Sequence, residues 1–286
     1  MALSLVAAGP RFEAGATGPT GPTGIRSQTP STVLLRDPAL VEVSGCAVSR
    51  RRSDIIWLHN DSGDAPILYA VDIGSGAVRA TFRVPGVEAV DWEDIAFAPT
   101  GELVIGDIGD NRHNRQNVLL HIISEPQLTD GVVAGTTSQP TTRVLRYPDQ
   151  PHDAEALVVS PEGIVEIVAK DDGTVWRAPR GGGDGVLQQI RPRIGPGVTG
   201  ADALADGSGI LVRNYFLIWL LRRTAGRPFE SAWSAKQTII PAPFLVQAEA
   251  VCGDGASRFV YTTAERRGAE TVPLVRVPVP ARRGSR

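Results

Sequence analysis

The sequence predicts an all-β fold, a five-bladed β-propeller whose blades each contain four antiparallel strands. A short pattern returns five times along the chain, and self-similarity at a period of about 40–50 residues is typical of propellers and solenoids. Each copy is a small or acidic residue, an apolar run, a turn and a second apolar run. Glycine or proline lies at almost every connection, and no window has the period of an amphipathic helix. The repeat-starting residues are Ser44, Glu93, Glu155, Thr199 and Glu249.

The 286 residues divide into one propeller and two short tails. Residues 1–31 are rich in Gly, Pro and Thr, which predicts a flexible segment. The apolar start of this segment is short and has no preceding positive charge, so it lacks the pattern of a signal peptide. The five copies fill residues 32–280, and residues 281–286 are predicted to form a basic tail.

The second copy shows the strand order of a blade most clearly. Its first two strands flank the tight turn at residues 99–101, and a polar loop leads to the third strand. The third and fourth copies follow the same order. The predicted strands cover residues 94–98, 102–106, 117–123 and 142–147 in the second copy, 154–159, 164–169, 174–178 and 186–190 in the third, and 200–204, 210–213, 216–222 and 237–240 in the fourth.

The fifth copy has only three predicted strands, at residues 249–252, 258–263 and 273–279. We expect residues 32–36, just before the first blade, to supply the missing outer strand. This exchange would close the ring and remove two exposed sheet edges. A solenoid would not need it, so the short fifth copy favours a closed propeller.

A closed ring makes the first and fifth copies neighbours, and each carries one of the two cysteines, Cys46 and Cys252. One alternative is a disulfide that locks the ring and closes a very long loop. The other is a pair of small buried side chains. The two cysteines have different offsets from their repeat-starting residues, which favours the second alternative.

Composition and charge argue against two classes of partner. The net charge is −2, and the basic residues form no stripe that would predict nucleic acid binding. No apolar run approaches the ~20 residues of a membrane-spanning helix. We expect a monomer with neither a nucleic acid partner nor a membrane span.

The repeat-starting residues should form one ring around the central channel, because each begins an innermost strand. Glu93, Glu155 and Glu249 would then repel one another unless they take up protons, pair with cations or bind a metal. Only Lys170 and Arg213 lie at suitable strand ends to pair with them. Oxygen-only ligands favour a hard cation, Ca²⁺ before Mg²⁺. The alternative is a set of carboxylates hydrogen-bonded to backbone amides and water.

The end of the second strand of each blade returns to the side of the disc at which the first strand begins. These strand ends are rich in acidic residues, and we call this side the acidic face. They lie at residues 59–64, 107–111, 170–172, 213–214 and 263–265.

The inner strands begin with five motifs: Ser44-Gly45, Glu93-Asp94-Ile95, Glu155-Ala156, Thr199-Gly200-Ala201-Asp202 and Gln247-Ala248-Glu249-Ala250. This set of motifs resembles the five-bladed propellers of the SdiA-regulated family. It is similar in layout to the calcium-activated nucleotidases (apyrases) and, more distantly, to the esterase-like phytases. The resemblance to the first two implies a five-bladed disc with one axial Ca²⁺, whose ligands begin the inner strands in the order Ser/Thr, Glu, Glu, Ser/Thr, Glu. That order falls on Ser44, Glu93, Glu155, Thr199 and Glu249.

Two departures from the nucleotidase pattern argue against nucleotide hydrolysis. Ser62 stands where these enzymes carry an arginine that would hold phosphate. The loop at residues 106–111 is acidic and has no aromatic residue on which a base could stack. Proteins of this layout are often exported, so the resemblance is compatible with secretion or a cell-surface location.

The acidic face allows two main functions. A calcium-stabilised propeller binds a small molecule or a protein there without chemistry. Alternatively, the protein is a Ca²⁺-dependent hydrolase of phosphate or other esters. Asp61, Asp107 or Asp110 would then be the general base, and Arg213 or Lys170 would stabilise developing negative charge. The shortage of cations on this face favours the binding module, and glycan processing by two carboxylates is a third alternative.

Overall fold

The computed structural model describes residues 29–191 and 194–281. Most of the predicted flexible N-terminal segment and almost all of the basic tail therefore lie outside the described residues. Within the described ranges the chain forms 22 strands and one short 3-10 helix. The strands make five sheets, and the innermost strands of neighbouring sheets contact one another in cyclic order. This arrangement confirms the predicted all-β, five-bladed propeller.

Blades one and two each contain four antiparallel strands and a fifth, parallel strand at the outer edge. The fifth strand comes from a loop of the following blade in both cases. Blade one contains β2 (Val43–Val48), β3 (Ile55–Asn60), β4 (Ile67–Asp72), β5 (Val78–Arg83) and β9 (Ala134–Thr136). Blade two contains β6 (Trp92–Phe97), β7 (Glu102–Asp107), β8 (Val118–Ser124), β10 (Thr141–Arg146) and β14 (Gly185–Val186).

Blades three and four contain four antiparallel strands each. Blade three contains β11 (Ala154–Val159), β12 (Val165–Ala169), β13 (Val175–Arg177) and β15 (Gln188–Arg191). Blade four contains β16 (Val198–Ala203), β17 (Gly209–Asn214), β18 (Ile218–Arg222) and β19 (Gln237–Ile240), with the 3-10 helix Phe229–Ser234 before the last strand. Val186 was predicted to belong to the last strand of blade three. It pairs instead with blade two, because residues 185–186 lie beside β10.

Blade five confirms the predicted closure of the ring. Its three own strands are β20 (Ala248–Gly253), β21 (Phe259–Ala264) and β22 (Val272–Pro278). The fourth strand is β1 (Ser31–Leu35), which pairs antiparallel to β22, with Ser31 opposite Arg276 and Leu35 opposite Val272. The first described strand of the chain therefore completes the last blade.

The core consists of apolar layers between adjacent blades. Every residue of the innermost strands β2, β6, β11 and β20 is buried, because each of these strands is covered on both sides by its neighbours. The polar residues within these strands are consequently held at fixed positions around the channel. None of the helical segments in the described part of the chain has the length and hydropathy of a membrane span.

Cys46 and Cys252 lie side by side on the inner strands of blades one and five. Both are free thiols with no exposed surface, and they are close enough to share a hydrogen bond. Burial raises the pKa of each thiol. The structure therefore has the pair of small buried side chains rather than the disulfide.

The two thiols are expected to resist alkylation in the native protein, since a buried neutral thiol is a poor nucleophile. Both should react once the protein is unfolded in denaturant without reductant. Intact mass after iodoacetamide treatment measures this. A protein that takes up no label even when unfolded would contain the disulfide.

Candidate metal centre

Each repeat-starting residue lies in a β-bulge at the start of an inner strand. In blade one, Val43 is opposite Asn60 and Gly45 is opposite His59, which leaves Ser44 without an opposite residue. Such bulges re-aim a side chain and are common beside functional sites. The same register shift occurs once in every other inner strand, at Glu93, Glu155, Thr199 and Glu249. The five residues therefore lie at one depth of the channel.

The three glutamates of this ring belong to a larger group of acidic residues on the acidic face. It consists of three overlapping triads, and in each triad one carboxylate oxygen from every residue lies within 4.8 Å of those from the other two. The triads share Asp61 and Glu93. They are Asp61, Glu249 and Glu265; Asp61, Asp91 and Glu93; and Glu93, Asp153 and Glu155. We call these seven residues the carboxylate cluster.

Three buried oxygens of the carboxylate cluster have no hydrogen-bond partner among the described residues, one on each of Glu93, Glu155 and Glu249. These residues are 1%, 2% and 3% exposed. Burial, with the nearby charge of Glu155, raises the pKa of Glu93 well above its usual value and that of Glu249 to about 9. A buried carboxylate without a partner needs a proton or a cation. The cluster therefore has the charge and the free oxygens of a cation site.

One ammonium group lies beside the carboxylate cluster. Lys170 Nζ forms an ion pair with Glu155 Oε1 and lies 5.9 Å from the centre of the Tyr215 ring. Burial raises the pKa of Glu155, and the ammonium opposes this effect. Lys170 on Glu155 and Arg267 on Glu265 cannot neutralise seven carboxylates. The predicted pairing of Lys170 is present, and the shortage of positive charge persists.

The two hydroxyl residues of the ring connect neighbouring inner strands. Ser44 Oγ donates to the backbone oxygen of Glu93 at 2.5 Å and lies 3.3 Å from Glu93 Oε2. Thr199 Oγ1 donates to the backbone oxygen of Ala248 at 3.0 Å, one residue before Glu249. A hydroxyl oxygen that donates its proton keeps lone pairs for a cation. Ser44 therefore contacts a ring glutamate directly, and Thr199 contacts the backbone one residue before another.

Asp107 and Asp110, two of the candidate general bases, hold the loop that follows β7. Asp107 is fully buried, pairs with Arg115 at 2.7 Å and accepts the backbone N–H of Asp91 at 3.1 Å. Asp110 accepts the backbone N–H of Arg115 at 2.8 Å. Both carboxylates thus position a neighbouring loop. Among the three candidate bases, Asp61 is the one that lies in the carboxylate cluster.

Arg213, the candidate for stabilising negative charge, is part of the channel wall. It is 2% exposed and donates to Thr262 Oγ1. Burial lowers the pKa of its guanidinium to about 10, and the nearby carboxylate of Glu249 favours the charged form. The buried guanidinium therefore interacts electrostatically with the carboxylate of Glu249 from within the channel wall.

Gly109 allows the loop after β7 to approach the cluster closely. A Cβ atom at this position would overlap Glu93 Oε1 and would lie 2.6 Å from Asp91 Oδ2. A larger side chain here would displace both carboxylates. The loop after β7 can therefore pack against Glu93 only with glycine at position 109.

Asp94, directly after a ring glutamate, connects three blades at the centre of the disc. Its carboxylate accepts the backbone N–H groups of Ile95 at 2.9 Å, Leu157 at 2.9 Å and Ala201 at 3.1 Å. The residue has no exposed surface. Burial raises its pKa and the three N–H donors oppose the rise. The sequence showed Asp94 only as part of a motif and not as a structural centre.

Asp91 and Asp153 are members of the carboxylate cluster that the sequence did not predict. They lie in connections between strands, for which no strand pattern predicts a side-chain direction. A signal for both is nevertheless present, because each lies two residues before a ring glutamate. Glu265 was predicted to lie on the acidic face, in the strand end at residues 263–265, but not to join the ring glutamates.

Comparisons with known proteins assign this chain to no family. No family model matches the sequence, and no curated protein matches it. Selenomethionine-substituted virginiamycin B lyase from Staphylococcus aureus is 11% identical with a TM-score of 0.48, and the match covers 86% of this chain and 98% of that chain. A gluconolactonase from Xanthomonas campestris is 13% identical with a TM-score of 0.48, and the match covers 83% and 72%. Likeness at this level carries no argument about activity, and the resemblance to the SdiA-regulated propellers and the nucleotidases stays a prediction.

Proposed function

We propose that this protein is a calcium-binding propeller that binds a ligand or partner at its acidic face. One observation carries the proposal: Glu93, Glu155 and Glu249 come from three blades, lie in matching β-bulges, and each has a buried oxygen without a partner in the described structure. Three such carboxylates are unstable in a low-dielectric channel unless they take up protons or a cation joins them.

The donor set fits Ca²⁺ better than other common metals. It consists of carboxylate and hydroxyl oxygens, which are hard ligands. Ca²⁺ accepts six to eight oxygens in flexible geometry, whereas Mg²⁺ requires a near-ideal octahedron. Glu93, Glu155 and Glu249 would hold the ion, with Ser44 and Thr199 as further oxygen ligands. When bound, the ion supplies positive charge that can polarise an oxygen of a ligand.

The cations near the carboxylate cluster favour binding over phosphate chemistry. Lys170 pairs with Glu155, Arg115 with Asp107, and Arg267 with Glu265. Arg213 lies in the channel wall. A phosphohydrolase needs free cations for the developing charge of the transferred group. In the described part of the acidic face, the first three cations are therefore already paired. Arg213 is buried and hydrogen-bonded to Thr262, which keeps it from a group on the surface.

The alternative function, a Ca²⁺-dependent hydrolase of phosphate or other esters, has one observation in its favour. Asp61 belongs to two triads of the cluster, and burial raises its pKa to about 7. A general base works best when its pKa is close to the working pH. Turnover of aryl esters or nucleotides in Ca²⁺, lost in both Asp61→Asn and Glu155→Gln, would replace the binding module by this alternative.

The proposal predicts uptake of calcium by the purified chain. Elemental analysis should find close to one equivalent of Ca²⁺, and the melting temperature should fall when EGTA removes it. Glu93→Gln should weaken Ca²⁺ binding in calorimetric titration by on the order of 100-fold or more, since even outer partners of a metal site contribute about 10–100-fold.

Glu102→Gln is the matched control, because Glu102 lies at the other end of the same blade, where β7 begins. It should leave Ca²⁺ affinity unchanged. If the protein takes up no calcium and shows no difference in melting between Ca²⁺ and EGTA, the calcium assignment is wrong. The hydrolase alternative would then be wrong as well.

A further inference from the structure

The acidic face carries an exposed aromatic pair that the calcium site does not use. Phe216 and Phe244 are 69% and 64% exposed, and their rings stack at a centroid distance of 6.2 Å and an angle of 18°. Leu217 and Val246 beside them are 39% and 67% exposed. We call these four residues the aromatic patch. Contiguous exposed apolar surface of this kind is typical of an interaction site.

The aromatic patch is next to the carboxylate cluster along two connections. Phe216 follows Tyr215, whose ring lies under the Lys170 ammonium that pairs with Glu155. Val246 lies three residues before Glu249. The patch and the cluster are therefore two parts of one surface, one apolar and one acidic.

The backbone holds the patch in place. Asn214 Oδ1 accepts the N–H groups of Phe216 at 2.9 Å and Leu217 at 2.8 Å, which fixes the turn between β17 and β18. Gln247, at the end of the other connection, has a φ of 51°, and its backbone oxygen accepts the N–H of Glu265. The left-handed conformation is costly for a residue with a side chain. The apolar side chains are thus presented by ordered turns.

The net charge of the acidic face indicates which kind of ligand can bind there. The two charges of a calcium ion, together with Lys170 on Glu155 and Arg267 on Glu265, do not neutralise seven carboxylates. The face therefore stays negative when the ion is bound and attracts cations over several ångströms. A partner that buries the aromatic patch at the same time must carry basic groups beside an aromatic or aliphatic group.

The shape of the surface favours a peptide over a small molecule. Small molecules usually bind in concave pockets that enclose most of their surface. The side chains of the aromatic patch are instead 39–69% exposed. The patch and the carboxylate cluster lie next to each other on one face. An extended peptide can contact the aromatic patch and the carboxylate cluster at the same time, whereas a compact ligand would contact only one of them.

We infer that the acidic face binds a basic peptide segment, with an aromatic or large aliphatic residue on the aromatic patch and lysine or arginine residues over the carboxylate cluster. This inference rests on the proposed function, because it names the class of partner for that same face. The aromatic patch would supply most of the binding affinity for the peptide. The carboxylate cluster would select peptides that carry positive charge.

Fluorescence anisotropy with the full chain in Ca²⁺ tests the inference. Three labelled twelve-residue peptides serve as probes: one of lysine and phenylalanine, one of lysine and serine, and one of glutamate and phenylalanine. The first should bind best, and its affinity should fall at higher ionic strength. Phe216→Ser combined with Phe244→Ser should weaken it by roughly 10–100-fold, as expected when two buried aromatic contacts are lost.

Val132→Ser combined with Val133→Ser is the matched control, since these residues are also exposed and lie beside the outer edge of blade one. It should leave peptide binding unchanged. The inference is overturned if both double variants bind alike, if the glutamate peptide binds as well as the lysine peptide, or if free phenethylamine binds as tightly as the first peptide, which would make the ligand a small amine.

A calcium titration of the same variants separates the two proposals. Both double variants should take up Ca²⁺ like the parent protein. Calcium uptake without peptide binding overturns this inference and leaves the calcium site intact. Absence of calcium uptake overturns the proposed function itself.

Discussion

Asp94→Ala is expected to lower the free energy of unfolding by about 3–5 kcal/mol, as is typical when one member of a buried polar network is removed. Three backbone N–H groups, of Ile95, Leu157 and Ala201, would lose their acceptor at the centre of the disc. They belong to blades two, three and four, so the loss would weaken contacts between blades. Urea unfolding followed by tryptophan fluorescence measures the effect.

Two variants serve as controls for this result. Asp94→Asn keeps one acceptor oxygen and the volume of the side chain, so it should be less destabilising than alanine. Asp202→Ala removes a carboxylate that accepts the N–H of Gly253 at 2.8 Å, and a single such bond is worth about 1 kcal/mol. A loss for Asp94→Ala no larger than that for Asp202→Ala would contradict the central role of Asp94.

Removal of calcium should make the stability fall as the pH rises from about 6 to 9. Burial raises the folded-state pKa of Asp61 to about 7 and that of Glu249 to about 9, above their unfolded values. Groups with a raised folded pKa contribute stability that is fully present below the unfolded pKa and is lost as the pH passes the folded pKa. In EGTA the melting temperature should therefore fall by on the order of 10 °C, given roughly 2–4 °C for each kcal/mol in large domains.

Calcium should remove most of this dependence, because the ion takes the place of the protons. The difference in melting temperature between Ca²⁺ and EGTA should accordingly grow with pH, and thermal scans at a series of pH values measure it. Glu249→Gln should flatten the EGTA curve, since the amide does not titrate. A melting temperature in EGTA that rises across this pH range would show that Asp61 and Glu249 do not have raised pKa values in the folded protein.

The fold and the position of the candidate site within each blade could be predicted because both follow from local patterns that repeat. Alternation and turn residues define each strand. The short fifth copy predicted the closing strand that β1 supplies. The parallel strands β9 and β14 could not be predicted, because they are three and two residues long and exist only through pairing with another blade.

The carboxylate cluster could be predicted only in part. The ring glutamates share a place in the repeat, whereas Asp91, Asp153 and Glu265 reach the cluster through connections. The roles of Asp107 and Arg213 depend on burial and on partners such as Arg115 and Thr262, which come from other strands and loops.

From the sequence alone, this chain is a ring of five blades with one polar residue at the start of each inner strand. Those properties depend on neighbours along the chain, and they recur five times. Tertiary structure alone decided which carboxylates meet, which oxygens are left without a partner, which cations are already paired, and where Phe216 and Phe244 stack. The reason is physical: burial and pairing are set by contacts between residues far apart in sequence, and these contacts exist only in the closed ring.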